Sequence, residues 1–388
     1  MIVDFFVLLW TLAFAVPLYW ATPAGFVATR LAVVLAVSAI FLWLLSPAIL
    51  VTVAAYAAVV AGFAAWRRAG ADAAAVKRAS WAVFAPLLFA GWIPQDALAA
   101  GLLGQSALTV QGLAGFALLG LSYTAIRSFL LIRQGVEARA PKPMEAAAAL
   151  LFFGSFVAGP IANALPWRNA SARLEGRDAL EGIARIGWGA ALFLIARPVV
   201  QDADVAGALG LAADGTAAAW VGVFQNFLAL YIDFTGYTDV AIGCGLLFGV
   251  RLPENFNWPL RATSIQEFWR RWHMSLGAFI GAYLFKPLVR KTGRPMLAIF
   301  SAFVFVGLWH KVSLPYLVWG VGHGAALAAN MAWSRRNPTA GFGPVGKAGA
   351  AAIGWAATMT LVATLSAFAN AGGAADAAAL AAKLTGAG

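Results

Sequence analysis

Three histidines, His273, His310 and His323, carry the most versatile chemistry in this chain. Imidazole titrates near neutral pH, so it can accept and return a proton where Lys and Arg cannot. His323 lies about nine residues into the apolar run LPYLVWGVGHGAALAANMAW. At about 1.5 Å of rise per residue it sits ~13 Å from the start of that run, near the middle of a bilayer. An ionisable group at that depth is costly and marks a functional site by default. Gly320, Gly322 and Gly324 surround it and leave room for a substrate or another backbone. The bland alternative is a neutral histidine hydrogen-bonded to a neighbouring helix; the depth and the three glycines favour a site.

His273 stands in SIQEFWRRWHMSLGAF beside Trp269, Arg270, Arg271 and Trp272, residues that equally suit an anchor at the membrane interface. His310 closes FVGLWHKVSLPY and is expected at an outer turn, in a structural role, half a helix away from His323. In YIDFTGYTDVAIGCGLLFGVRLPENFNWP, Asp233 and Tyr237 share a helix face at i,i+4, as do Thr235 and Asp239. These two acids either receive a polar group or, the favoured reading, pair with Arg251, Arg261, Arg270 or Arg271. Gly245 and Gly249 form a GxxxG, a common helix-packing signal. The chain has no Walker A loop, HExxH or GxSxG. With one cysteine and three scattered histidines, no dedicated metal site is expected. The chemistry to expect is direct proton abstraction from a hydroxyl, worth about 10²–10⁴ in rate.

The elements that position these residues must be helices in lipid. The chain is 62% hydrophobic and 11% charged, with mean hydropathy +0.80, whereas a soluble domain is about 45–50% apolar and about 25% charged. The net charge of +11 comes from basic residues placed in short breaks between apolar runs, as in cytoplasmic loops. That distribution argues against a nucleic-acid partner. The single cysteine, Cys244, excludes an intramolecular disulfide. The start, MIVDFFVLLWTLAF, has Asp4 and no basic residue before its apolar run, so it reads as a retained span and not as a cleavable signal.

Spans are expected near 5–20, 26–46, 48–65, 81–101, 106–132, 181–200, 216–236, 295–310, 314–334 and 348–370. With the basic loops in the cytoplasm, the segments 146–165 and 274–285 must enter and leave by the same face, as re-entrant or interfacial helices. About ten spans then remain, with both termini outside. No repeat points to an inverted-repeat transporter. The Ala-rich tail 371–388 reads as a weak helix or a frayed end.

The order of DFTGYTDVAIG, RLPENFNWP, SIQEFWRRWHMSL and GLWH…WGVGHG resembles the membrane-bound O-acyltransferases, most closely the bacterial alginate O-acetylation branch, itself akin to the teichoic-acid D-alanylation membrane protein. LLGLSYTAIRSFLLI and LLFFGSFVAGPI resemble two upstream segments of that branch. The likeness covers roughly residues 115–335, between an N-terminal helical region (1–114) and a C-terminal helix and tail (336–388). It implies an all-α polytopic protein of the bacterial inner membrane, built around a central tunnel. The family moves an acyl group from a cytoplasmic thioester, acyl-CoA or an acyl carrier, to a hydroxyl acceptor, and it binds no cofactor.

In this resemblance His323 matches the family's near-invariant histidine and His273 its second signature position. Trp319, Gly320, Gly324, Asp233, Tyr237, Asp239, Asn255, Trp269, Arg270 and His310 are the expected tunnel-lining residues. The partners implied are the thioester donor, membrane lipids and a separate extracytoplasmic acetyltransferase. Two departures stand out: Gly281 and Ala282 replace an Arg-Asp pair, and Lys311 follows Leu308, Trp309 and His310 where the branch has glycine. A transporter or flippase of an acylated carrier, and a non-catalytic scaffold for a periplasmic acetyltransferase, are the rival readings.

Overall fold

Apolar residues in lipid drive the backbone to satisfy its own hydrogen bonds, and the helix does so within one segment. In a computed structural model of the chain, the described residues are 2–45, 47–83, 113–137, 141–156, 159–162, 165–212, 214–336, 339, 341 and 343–387. Among them the regular structure is helical throughout. Helices α1 (Ile2–Ala21), α2 (Val27–Leu45) and α3 (Pro47–Arg68) cover the first three expected spans. The short α4 (Ala73–Ser80) is capped by the Asp72 carboxylate, which accepts from the Ala75 N–H. The expected span 81–101 and the start of 106–132 lie largely outside the described residues, and α5 (Leu113–Glu137) continues the latter.

The remaining expected spans all correspond to helices, with corrected ends. Helix α7 (Gly176–Ala191) follows the short α6 (Pro143–Leu151) and runs on through a π-helical turn, Leu192–Ala196, to Asp202. Helix α8 (Thr216–Leu247) extends well beyond the expected 216–236. Then come α9 (Ile265–Arg271), α10 (Met274–Ile280), α11 (Pro295–His310), α12 (Leu314–Arg335), α13 (Pro344–Ala369) and α14 (Ala374–Thr385), the last giving the tail a defined helix. Five of the described helices are long and apolar enough to cross a membrane by length and composition: Val27–Leu44, Ile49–Arg68, Gly176–Gln201, Thr216–Leu247 and Pro344–Ala369. The protein is a multi-pass membrane protein. Helix α12 has the length to cross, at 22 residues, but its glycines and polar residues keep it out of that set.

The two segments expected to be re-entrant differ in length. In 146–165, α6 is only 9 residues long and stops at Phe152, so it cannot cross; its buried face and the Phe152, Phe153 and Phe156 rings are shielded by protein. The segment 274–285 belongs to a longer helical run, because α10 passes through a π-helical stretch, Gly281–Phe285, into the helix Lys286–Thr292. That corrects its length; its basic end carries Lys286, Arg290 and Lys291.

The chain forms two compact units, residues 1–191 with 236–253, and residues 192–235 with 254–388. In the first, α7 packs on the last turns of α8 through glycines seven residues apart on each helix. A Cβ at Gly243 would meet the Gly182 carbonyl oxygen at 2.6 Å, and one at Gly189 would strike the Gly236 oxygen. The expected Gly245–Gly249 motif does not pack helices: Gly249 has φ +69 beyond the helix end, where it turns the chain. In the second unit α11 and α12 form a close hairpin and α13 lies against α12.

Gly243→Val should therefore lower stability by about 1–3 kcal/mol, since the added atoms meet backbone. Gly187→Val, with nothing within 4 Å of a Cβ there, should cost far less. Thermal unfolding of the two variants in one detergent checks the difference.

Candidate functional site

The site is built on α9, a short helix with strong local signals. Ser264 accepts the Glu267 N–H at 3.2 Å as N-cap, and the Glu267 carboxylate accepts from the Thr263 N–H at 2.9 Å. Glu267 also holds Arg271 one turn on, at 2.8 Å. The Thr263 N–H, aided by Arg271 and against partial burial, keeps the Glu267 carboxyl below the usual carboxylate range. Beyond α9 the chain turns sharply: His273 takes φ 45 and ψ 53, the left-handed region that costs a non-glycine residue energy.

Asn255 holds that turn in place. It is fully buried. Its Oδ1 accepts from the Ser275 N–H at 3.2 Å and the Ser275 hydroxyl at 2.8 Å, and lies 2.9 Å from His273 Nδ1. Its main-chain oxygen accepts the Met274 N–H at 2.9 Å. The His273 ring packs edge-on against Phe234 with centroids 4.8 Å apart. Trp272, the residue before it, stacks on Phe227 and Phe268.

His323, on α12, has 0% of its surface exposed. Three rings cage it: Trp319 at 4.6 Å between centroids, Trp269 at 5.1 Å and Phe303 at 6.2 Å. Trp269 donates its indole N–H to His323 Nδ1 at 3.3 Å. The other ring nitrogen, Nε2, is buried and has no hydrogen-bond partner among the described residues. Buried polar groups are almost always paired, so an orphan here invites a chemical explanation. Access of any substrate to Nε2 requires the cage to open.

Gly320 and Gly324 seat the α11–α12 hairpin, and Gly322 faces α13. A Cβ at Gly320 would lie 2.7 Å from the Phe303 oxygen, one at Gly324 2.9 Å from the Phe300 oxygen, and one at Gly322 2.8 Å from a Leu365 methyl. Of the two occupants expected beside these glycines, substrate or backbone, the structure places backbone at Gly320 and Gly324. That close approach is what brings Phe303 onto His323. His310 joins the same cluster through Trp319, 5.7 Å away between ring centroids. The three histidines thus gather in one unit, which their sequence positions did not disclose.

Other expected residues fall elsewhere. Asp233 pairs with Arg197 at 2.7 Å and Asp239 with Arg185 at 2.9 Å, correcting the expected pairing with Arg251, Arg261, Arg270 or Arg271. The reason is the length of α8: both acids lie mid-helix, facing the preceding helical run and not a loop. Arg251 pairs instead with Asp178. Tyr237 lies in the first unit, within electrostatic range of the buried Arg127. Arg270 is exposed on α9. Reasoning from sequence missed Ser275 and Phe303; a serine two residues after a histidine and a phenylalanine in an apolar helix carry no signal of their own. Among the described residues no three His, Cys, Asp or Glu side chains gather as a metal site would need.

Residues 194–365, which include every member of this cluster, match the family model described as MBOAT, membrane-bound O-acyltransferase family. A peptidoglycan O-acetyltransferase of Helicobacter pylori is 40% identical over 119 residues, 30% of this chain and 23% of that protein. A probable alginate O-acetylase AlgI of Pseudomonas syringae is 31% identical over 247 residues, 58% of this chain and 46% of the relative. A teichoic acid D-alanyltransferase of Bacillus subtilis is 36% identical over 104 residues, 24% of this chain and 26% of the relative. The chain spans less than half the length of each of these three.

Replacing Asn255 by Ala removes one acceptor from three buried donors and should cost about 2–4 kcal/mol, whereas Ser275→Ala, which loses a single hydroxyl, should cost about 1 kcal/mol. Unfolding of both variants in mild detergent measures the ratio.

Proposed function

We propose, from the match of residues 194–365 to the membrane-bound O-acyltransferase family model, that this protein is an acyltransferase of a bacterial cytoplasmic membrane. It takes an acyl group, acetyl in the simplest case, from a cytoplasmic thioester such as acyl-CoA or an acyl carrier. The group goes toward a hydroxyl on an exported polysaccharide or cell-envelope glycan. The names of the relatives, acting on peptidoglycan, alginate and teichoic acid, support a glycan or related envelope acceptor. A separate extracytoplasmic acetyltransferase completing the delivery is part of the same proposal. So is an orientation with the basic loops inside and both ends of this chain outside.

The observation that carries this reading is the buried Nε2 of His323, which has no hydrogen-bond partner among the described residues. Ester formation from a thioester needs a proton removed from the attacking hydroxyl and charge stabilised on the carbonyl oxygen. His323 and His273 are the two groups assigned to those tasks. The enclosed aromatic setting around His323 keeps water away, which protects the thioester from hydrolysis and strengthens each polar contact within. The fold binds no cofactor in this scheme; the thioester is a co-substrate.

His323→Ala should lower thiol release from acyl-CoA by about 10²–10⁴-fold, with membrane insertion retained. The assay uses membranes that retain the native glycans, with acetyl-CoA, longer acyl-CoA and an acyl carrier protein as donors. Full thiol release by the variant overturns the proposal. Movement of an acylated carrier with no thioester consumed would mark a transporter instead.

A further inference from the structure

Arg127 belongs to the first unit and takes no part in the histidine cluster. It lies on α5, well inside a helix that runs from Leu113 to Glu137. At about 1.5 Å of rise per residue it is roughly 15 Å from the nearer end. Only 1% of its surface is exposed. A guanidinium keeps its proton even when enclosed, so a full positive charge sits there.

What meets that charge is neutral. Nη2 donates to three main-chain oxygens, those of Ser155 at 2.5 Å, Gly159 at 3.4 Å and Pro160 at 3.5 Å. They belong to the bend after α6, which is tight: a Cβ at Gly159 would lie 2.5 Å from the Ser155 Cβ. Nη1 is buried and has no hydrogen-bond partner among the described residues. Four carboxylates of the same unit are engaged by other arginines: Glu145 by Arg168, Asp178 and Glu181 by Arg251, and Asp239 by Arg185. Tyr123 and Tyr237 lie within electrostatic range of Arg127, and a phenol carries no charge near neutral pH.

The guanidinium is planar and rigid, so the carbonyls that hold Nη2 also fix the direction of Nη1. We propose that Nη1 is the donor arm of an anion-binding site inside the first unit, which takes a carboxylate or phosphate group of a soluble ligand. Both groups supply the two things Arg127 lacks, a negative charge and acceptor oxygens. Water would satisfy the N–H bonds and leave the charge uncompensated, which is costly at this depth. A lipid phosphate is the wrong source, because headgroups lie at the bilayer surface and Arg127 is in mid-helix. Since Nη1 is enclosed, the ligand enters only when its surroundings open, and binding is slow. The site is independent of the acyltransferase reading, and Arg127 lies outside the residues 194–365 that support it.

Equilibrium dialysis of the full chain in mild detergent tests the site. Radiolabelled phosphate and acetate are the probes, in separate experiments at an ionic strength held constant with chloride. The parent protein should bind one or both, saturably, at one site per chain; the probe that binds names the group. Arg127→Gln should lose that binding. Arg173→Gln, at an exposed arginine of the same unit, should keep it. Arg127→Lys keeps a charge but loses the fork and should bind at least roughly tenfold more weakly.

Absence of saturable binding of both probes by the parent protein overturns the proposal. So does binding that survives in Arg127→Gln. If that variant does not fold, Arg127→Lys decides, and an affinity equal to the parent's counts against the site. Displacement of the bound probe by phosphatidylglycerol would overturn the assignment to a soluble ligand.

Discussion

A polar atom buried away from water must meet a partner of the complementary kind, and in lipid few partners are on offer. The bond from Trp269 to His323 is the plainest instance here, and much of the second unit exists to make it. It requires a short helix, α9, whose cap and i,i+4 pair hold it without length. It also requires α12 to lie so close to α11 that Gly320 and Gly324 stand where side chains would collide. The close approach closes the cage with Phe303, and the turn after α9 delivers His273 four residues beyond Trp269.

That turn carries strain, and the structure shows what holds it. A histidine in the left-handed region reverts unless its surroundings insist. Asn255 insists through four hydrogen-bonding contacts, three at its side-chain oxygen and one at its main-chain oxygen. Strain of this kind tends to accompany sites where a ring must point one way.

Ion pairs handle the charges that helices carry toward the membrane interior. Arg185 with Asp239, and Arg197 with Asp233, are partly buried pairs between neighbouring helical runs. Leaving either member alone in a low dielectric would cost several kcal/mol, so such pairs fix helix register more than they add stability. They also show that acids in a span need not belong to a substrate path.

The apolar runs and their breaks were legible in the amino-acid sequence, because the length of apolar chain that a helix needs in a bilayer is a local property. The placing of His310 near an outer turn followed from the same counting, and it does end α11. Asp233 and Asp239 were read as paired acids, yet their arginines were misassigned, since a helix end at 247 in place of 236 turns them toward another neighbour. The gathering of three histidines in one unit, the backbone contacts at Gly320 and Gly324, and the bond from Trp269 to His323 were decided only by tertiary structure. Linear spacing holds no information about which distant residue faces a ring, whereas the packing of α9 against α12 settles it.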